Sequence, residues 1–591
     1  MQLLTDIRIS NFRSCVQADL SLSPYTPLVG YNNGGKSNIL SAIAWLLEGS
    51  ALTADDFNSS DLPVIVEGTI EAIDERLLEL LEAKHRERIE PFCSEGRLRI
   101  RRRQEEPSTG KRGVKLDVWD LDSEQWVDNP TGIPAAISAL FPEPIRIRAM
   151  QDAGEDVAKY KTTTTIGKLI GSITGALEEK HGAVLRDALD DVRQLLGADG
   201  GARAEELEDF DRNANEVVRN FFPGVRLAIH VPPPEVSDLF KAGTIRVYEG
   251  DNGEARDFAA LGHGAQRAIQ MALIQYLAQI SDDGPGPVGR TLLLIDEPEL
   301  YLHPRGVAIV RAALKRLGDH GFQVVFSTHS AQMVGISDAA DTLMVRKSDG
   351  LGTTILPTLR AKVEEVIEGA EHQAETLFDL NNSSYVLFAD RVLVAEGKAE
   401  KHLLPLVSEA LKPIGLGDGT AALVQLSGGS GTTKALEVLR ALGIPSGGVV
   451  DLDYAFRGGV AAGLVDCEAE ELNNCRNVLL ELQESHEFEL GDDGFPINRG
   501  QMRAEEAFAL LAGHAEAQPM IDALHQRLRE HRIWLWTRGS LEHHLGLKGK
   551  GNGPRRVFIA SLKAGDPHSV IADVPGVTAF LEWAIGLDGS S

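Results

Sequence analysis

Apolar and polar residues alternate through LLTDIRIS (residues 3–10), the two-residue period of a strand with one buried face. A glycine-rich loop then opens SNILSAIAWLLEG (37–49), where the apolar positions recur at helical spacing. Residues 63–120 read as antiparallel strands with one helix. Within them RLRIRRRQ (97–104) and GVKLDVWDL (113–121) flank the turn EEPSTGKRG. Residues 150–225 are strongly helical, with ALEEKHGAVLRDALDDVRQLL (176–196) the clearest amphipathic run. RTLLLIDEPE (290–299) and FQVVFSTHS (322–330) contain unbroken apolar runs, as expected of parallel strands buried on both faces.

A second α/β pattern begins near residue 389. DRVLVAEG, AALVQLSGG, GGVVDLD and HRIWLWTRG read as strands separated by helices, with a mixed helical insertion over about 460–530. The polar stretch DLNNSS (379–384) places a boundary near 385, giving an N-terminal domain over 1–385 and a C-terminal one over 386–591. At 591 residues the chain is too long for a single core.

Composition changes this picture in three places. The net charge of −28 argues against a general nucleic-acid coat, because phosphate binding is chiefly electrostatic. It leaves room for carboxylates that hold metal ions and for a local basic track. Cys15, Cys93, Cys467 and Cys475 are scattered with no CxxC pair, which excludes a zinc ribbon or disulfide framework and fits a reducing cytosol. MQLLTDIRIS lacks a signal-peptide pattern, and no apolar stretch reaches the roughly 18 residues of a membrane span. A soluble, cytoplasmic protein without membrane contact is expected.

Gly30, Tyr31, Asn32, Asn33, Gly34, Gly35, Lys36 and Ser37 fit GxxxxGK[ST] between a predicted strand and a predicted helix. Glycines let backbone N–H groups curl around phosphates, Lys36 neutralises β/γ charge, and the Ser37 hydroxyl reaches Mg2+. Downstream, Leu292–Ile295 is an aliphatic run ending in Asp296 and Glu297. Asp296 would help hold the metal through water and Glu297 would polarise the attacking water. His329 ends a second such strand, placed to sense the γ-phosphate.

These segments resemble the SMC/RecF/ABC ATPases. Asp296-Glu297-Pro298-Glu299 followed by LYLHP looks like their Walker B and D-loop, and His329 like their switch histidine. Their LSGGQ signature aligns with Gly262, His263, Gly264, Ala265 and Gln266, with His263 in place of serine and Ala265 in place of glycine. The resemblance implies ATP as cofactor and a signature that completes the site of a partner copy, hence a homodimer or higher oligomer. The two substitutions bear on hydrolysis rather than on binding. Gln151 is the candidate for the Q-loop. The gap between loop and signature is too short for long coiled coils, so the head is compact, and helices 150–225 are a dimerisation module or a lid.

Acids recur at three further strand ends. Glu396 follows VLVA, with Glu400 on the next helix. Asp451 and Asp453 follow GGVV. Ser540 and Glu542 follow WLWTRG. Hard oxygen donors of this kind suit Mg2+, with Mn2+ or Ca2+ as substitutes, and two such ions activate water and stabilise the leaving oxygen of a phosphodiester. This half resembles the Toprim domain, and an ABC ATPase followed by Toprim, with GHGAQR and RGSLE, looks like the OLD (overcoming lysogenization defect) nucleases, a family that includes the Gabija nuclease subunit. The resemblance covers nearly the whole chain. It implies cutting of DNA, with Glu396, Glu400, Asp451, Asp453, Ser540 and Glu542 as metal ligands. It also implies a catalytic lysine near the C-terminus, for which Lys563 is the first choice and Lys548 and Lys550 are rivals. A helicase-like partner protein and a role in phage defence are further implications of family membership.

Arg97, Arg99, Arg101 and Arg103 alternate, so they share one face of a strand with Arg102 opposite; Lys111, Arg112 and Lys115 lie across the turn. Such a ribbon either tracks phosphates or pairs with an acidic surface. The reading is an ABC-like ATPase head followed by a Toprim nuclease, with a RecF-type DNA clamp as its non-cutting rival. Lys36→Ala is expected to weaken ATP binding by about 1.5–3 kcal/mol, roughly tenfold to a hundredfold in Kd, through loss of a charged partner to phosphate. A calorimetric titration that returned the wild-type Kd would show the loop assignment to be wrong.

Overall fold

The computed structural model describes residues 2–587 except 142–143, 150–164, 200, 232–245, 249–252, 284–290, 349, 359–360, 363–382, 412–415, 417–420, 427–430 and 500. Gln151 and most of the DLNNSS stretch lie outside the described residues. The chain divides into two compact units, Met1–Thr26 with Lys36–Thr328, and Pro27–Gly35 with His329–Ser591.

In the first unit, Gln125–Val127, Val114–Asp120, Leu98–Gln104, Val64–Glu71, Leu3–Phe12 and Cys15–Ser21 lie side by side in that order, all antiparallel. Val64, Val66 and Ile70 alternate inward along their strand, as the two-residue period requires. Three strands are parallel instead: Thr291–Asp296 lies between Ile145–Ile147 and Phe322–Thr328, with Leu294 opposite both Arg146 and Val325. Every residue of Phe322–Thr328 is buried, which is why its sequence shows no alternation.

The helix Lys36–Glu48 ends against an unusual partner. Arg102 points to the opposite face from its neighbours and is buried, with Nε donating to the Leu46 carbonyl at 2.7 Å and Nη2 to that of Leu47 at 3.3 Å. These are last-turn carbonyls that the helix itself leaves unpaired, at its negative end. Burial pushes the guanidinium down to about 10, with Glu48 opposing the shift. Helices Thr165–Leu196 and Glu205–Phe221 fall within the expected helical insert. Arg203 ties their junction through Asp211 at 2.8 Å and the Gly197 and Ile229 carbonyls. Phe210, Val217, Phe221 and Phe222 are left exposed.

In the second unit, a parallel sheet runs in the order Ala421–Gln425, Arg391–Ala395, Ser446–Val450, Ile533–Leu535. Its residues alternate between two cores. Val392, Val394, Val450, Ile533 and Leu535 enter one; Leu393, Ala395, Val449 and Trp534 enter the other. Both faces are covered, so each strand is a continuous apolar run. The insertion supplies helices Glu470–Ser485, Ala504–Gly513 and Gln518–Glu530, which pack on the first core through Leu472, Phe508 and Leu524. The same core contains Val29, Val334, Ala339 and Met344. That shared packing is why the second unit takes in residues well before the expected boundary at 385. Among the described residues, no helix is long and apolar enough to cross a membrane.

Arg102→Leu should cost about 1–3 kcal/mol, because two buried carbonyls lose their donor. A guanidinium melt of the variant is expected to show an earlier midpoint for the first unit; an unchanged midpoint would contradict the capping role.

Candidate functional site

The glycine-rich loop adopts backbone angles that its composition requires. Gly35 has φ +105°, and a side chain there would collide with Thr353, whose Oγ1 donates to the Gly34 carbonyl at 3.1 Å. Gly30 is similarly strained at φ +150° beside Val345. Asn32 and Asn33 are exposed at the loop tip, Lys36 is buried as the first residue of the helix, and Ser37 follows it, exposed.

Within the first unit Ser37 and Asp296 line one cavity of about 490 Å³, together with Arg13 and Arg146. Asp296 accepts a hydrogen bond from Ser327 Oγ. Glu297 sits in left-handed backbone at φ +48°, strain of the kind that accumulates at working sites. Arg267 Nη2 holds the turn by donating to the carbonyls of Asp296 and Glu297, both at 2.8 Å. Burial and then the Asp296 charge raise the Glu297 carboxyl, against Lys36 and Arg267. His329 follows the strand Phe322–Thr328 directly and is half-buried.

The signature residues divide. His263, first residue of the helix His263–Asp283, is exposed and its ring lies 6.2 Å from that of Tyr301; Gly264 is half-exposed. Gln266, expected to face nucleotide, is instead buried, because its amide donates to the Leu261 carbonyl at 3.0 Å and the Phe258 carbonyl at 3.3 Å.

The second unit gathers the remaining acids. Strands Arg391–Ala395 and Ser446–Val450 are parallel neighbours, with Ala395 opposite Val449, so Glu396 and Asp451 leave adjacent strand ends. Strand order reverses here, and open α/β sheets bind ligands at such a switch point. The Asp451 N–H donates to Glu396 Oε2 at 3.3 Å. Glu400 is buried in the first turn of the helix Lys398–Leu411. Glu542 is buried too, accepting from Arg555 Nη2 at 3.1 Å. Asp453 lines the adjoining cleft of about 610 Å³ with Glu396, Asp451, Arg503, Glu505 and Lys550. Ser540 is fully buried, its Oγ 3.0 Å from His543 Nδ1, in the turn that leads to Glu542.

Lys550 Nζ lies 2.8 Å from Asp451 Oδ2 and 3.3 Å from Glu505 Oε1. Lys563, chosen from the sequence, is exposed in the last turn of the helix Asn552–Ala564. The lysine bonded to the acids is its rival in the glycine-rich loop before that helix. Sequence reading also passed over Glu505 and Arg555, which no motif marks.

Burial, opposed by Lys550 and reinforced by Glu400 and Glu396, pushes Asp451 well above the usual carboxylate range. Burial likewise pushes Glu400 up to about 7, with Glu542 and Glu396 adding to the shift. Burial would lower Lys550, yet Asp451, Glu505 and Glu542 hold it charged. Asp451 Oδ1 is buried without a hydrogen-bond partner among the described residues. An orphaned carboxylate oxygen among hard oxygen donors fits a divalent cation. Among the described residues, no three such side chains already form a closed metal cluster.

The arginine ribbon is consumed locally. Arg97 pairs with Glu71 at 3.0 Å, Arg101 with Asp117 at 2.8 Å, and Arg103 with Asp117 at 2.8 Å and Asp128 at 2.6 Å. Arg99 lies over Trp119 and Trp126, and Arg101 over Trp126. Pairing with acids, rather than a bare phosphate track, describes this face.

Residues 387–453 match the family model described as "Overcoming lysogenization defect protein-like, TOPRIM domain", and residues 155–334 match an AAA domain model. The chain is 23% identical to the OLD nuclease of Thermus scotoductus over 464 residues, covering 75% of this chain and 80% of that one. It is 22% identical to the endonuclease GajA of Bacillus cereus over 426 residues, covering 69% and 68% respectively. With the Old nuclease of Escherichia phage P2 it shares 37% identity over 586 residues, 98% of this chain and 99% of that protein. A sequence match of that extent, together with the match of residues 387–453 to the family's Toprim model, places the chain in the OLD nuclease family.

Proposed function

We propose that the protein is an ATP-regulated DNA endonuclease whose chemistry depends on divalent metal held in the second unit. The observation that carries this reading is the gathering of Glu396, Glu400, Asp451 and Glu542 with Lys550 beside an open cleft. Glu396, Glu400, Asp451, Asp453 and Glu542 would hold Mg2+ or Mn2+, in two sites, and Ser540 shapes the turn beneath them. The bound ions would supply a nucleophilic water and offset charge on the leaving oxygen.

The chain's own groups do the rest. Glu400, raised to about 7, is only partly ionised at neutral pH without metal and would release its remaining proton on becoming a ligand. Lys550 keeps an ammonium at the cleft edge, where it would meet a scissile phosphate and take the role expected of Lys563. In the first unit Lys36, Ser37 and Asp296 would bind ATP with Mg2+, and Glu297 would orient water. His263 and Gly264 would meet the nucleotide of a second copy, which makes a homodimer the working form.

The test is nicking of supercoiled plasmid with Mn2+ or Mg2+, with and without ATP. Glu396→Ala and Asp451→Ala should abolish cleavage while leaving ATP binding intact. Lys550→Ala should lose about a hundredfold or more, the usual effect of removing one positioned charge from a transition state, and Lys563→Ala little. Full activity in both carboxylate variants would leave an ATP-loaded DNA clamp as the better reading.

The Glu400 shift also has a stability consequence. A carboxyl whose folded pKa exceeds its unfolded one stays protonated while the unfolded chain ionises. The Glu400 contribution to stability therefore falls as pH rises from about 4.5 to about 7, by an amount on the order of 3 kcal/mol, and the raised Asp451 carboxyl acts in the same direction. Urea unfolding in chelator should show the second unit weaker at pH 8 than at pH 5, and Glu400→Gln should reduce that difference, leaving the part that the raised Asp451 carboxyl contributes with the same sign. Equal pH dependence in the variant would place the titration elsewhere.

A further inference from the structure

The turn that carries Ser540 and Glu542 is fastened from behind. His544 is buried, and its Nε2 accepts from the Arg538 backbone N–H at 3.0 Å. Its Nδ1 lies 2.6 Å from Asp573 Oδ2. A carboxylate only accepts, so Nδ1 carries the ring proton; a backbone N–H only donates, so Nε2 carries the lone pair. One neutral tautomer satisfies both bonds. The ring packs 5.0 Å from that of Trp536, itself fully buried.

Asp573 is fixed in turn. It caps the helix Val574–Ile585 by accepting from the Gly576 N–H at 3.2 Å. Its own N–H donates to the His544 carbonyl at 2.9 Å, and Arg538 Nε lies 3.3 Å from its carboxylate.

The gripped peptide leads to the acids in two directions. One residue on, the Gly539 carbonyl accepts from the Leu452 N–H at 2.8 Å, directly after Asp451. Beyond Ser540 the chain enters the helix Leu541–Leu545, which carries Glu542. The backbone at Asp451 and the placement of Glu542 therefore both depend on residues 538–540.

We propose that Asp573 and His544 form a positioning relay. Asp573 sets the His544 tautomer, His544 grips the Arg538 amide, and the grip registers Asp451 and Glu542 for metal binding. The relay rests on the metal-nuclease reading above. Neither residue lines the cleft, so both act through the turn, as groups behind metal ligands commonly do. A histidine that merely filled the core would affect stability without depending on which nitrogen holds the proton.

Asp573→Asn separates the two roles. The variant keeps size and the helix cap, but its amide can donate to Nδ1 and drive the proton to Nε2, where it opposes the Arg538 N–H. The same exchange behind a catalytic histidine leaves geometry intact and imposes the wrong tautomer. His544→Gln keeps an acceptor for the Arg538 amide and has no tautomer to set. Each variant and the double variant would be measured for Mn2+ binding by calorimetry without DNA, for plasmid nicking, and for thermal melting. Asp573→Asn is expected to lower Mn2+ affinity and nicking by about 10–100-fold in a protein that stays folded, its melting temperature lowered by only a few degrees. In the His544→Gln background the same exchange should add little, a non-additivity that marks coupled residues. Equal losses in both backgrounds, or undiminished Mn2+ affinity in Asp573→Asn, would overturn the relay alone. Wild-type protein that neither binds Mn2+ nor nicks would overturn the metal-nuclease reading and the relay with it.

Discussion

Mutual repulsion among carboxylates confined to one end of a parallel sheet is the constraint around which the second unit is organised. Glu396 and Asp451 leave adjacent strands, Glu400 and Glu542 are buried beside them, and Lys550 is the lysine bonded into the group. Ionised acids at such distances raise one another's pKa, and burial adds to the effect. The arrangement holds only because the surrounding structure over-determines it. Strand residues alternate between two apolar cores, so the ends cannot slide without moving both. Arg555 secures Glu542, and the Asp451 amide holds Glu396.

The first unit meets a related problem with different means. Asp296 and Glu297 are consecutive, so the chain cannot separate them by strand spacing. The backbone at Glu297 turns left-handed instead, and Arg267 spans both carbonyls beneath it. Strain in the peptide and a buried guanidinium together do what sheet geometry does in the other unit.

Much of this was legible in the sequence because it depends on local pattern. Unbroken aliphatic runs ending in acids marked Asp296, Glu396 and Asp451, since a strand buried on both faces must terminate where polarity begins. The glycines of the loop before Lys36 were equally plain. What escaped was set by contacts distant in sequence. Lys550 reaches Asp451 across 99 positions, and nothing in LKGKG distinguishes it from Lys548. Gln266 fits a signature by type, yet its side chain turns inward to nearby carbonyls. The boundary near 385 followed a polar stretch, whereas Val29 and Met344 join the second core through packing that no composition shift announces. The alternation of Arg97 to Arg103 showed a shared face but not the acids waiting on neighbouring strands.

Those acids have a consequence for how the protein meets a polyanion. With the ribbon neutralised in place and a net charge of −28, the long-range field of the molecule opposes DNA. At physiological ionic strength that field decays over about 8 Å, so the opposition acts chiefly at close approach. Non-specific residence on a duplex, which basic proteins gain through released counterions, is weakened by a net charge of this sign. For the activity proposed, weak engagement is itself protective: an enzyme that cuts DNA but does not linger on it leaves the bulk of a chromosome untouched and spends its encounters where some further feature holds it in place.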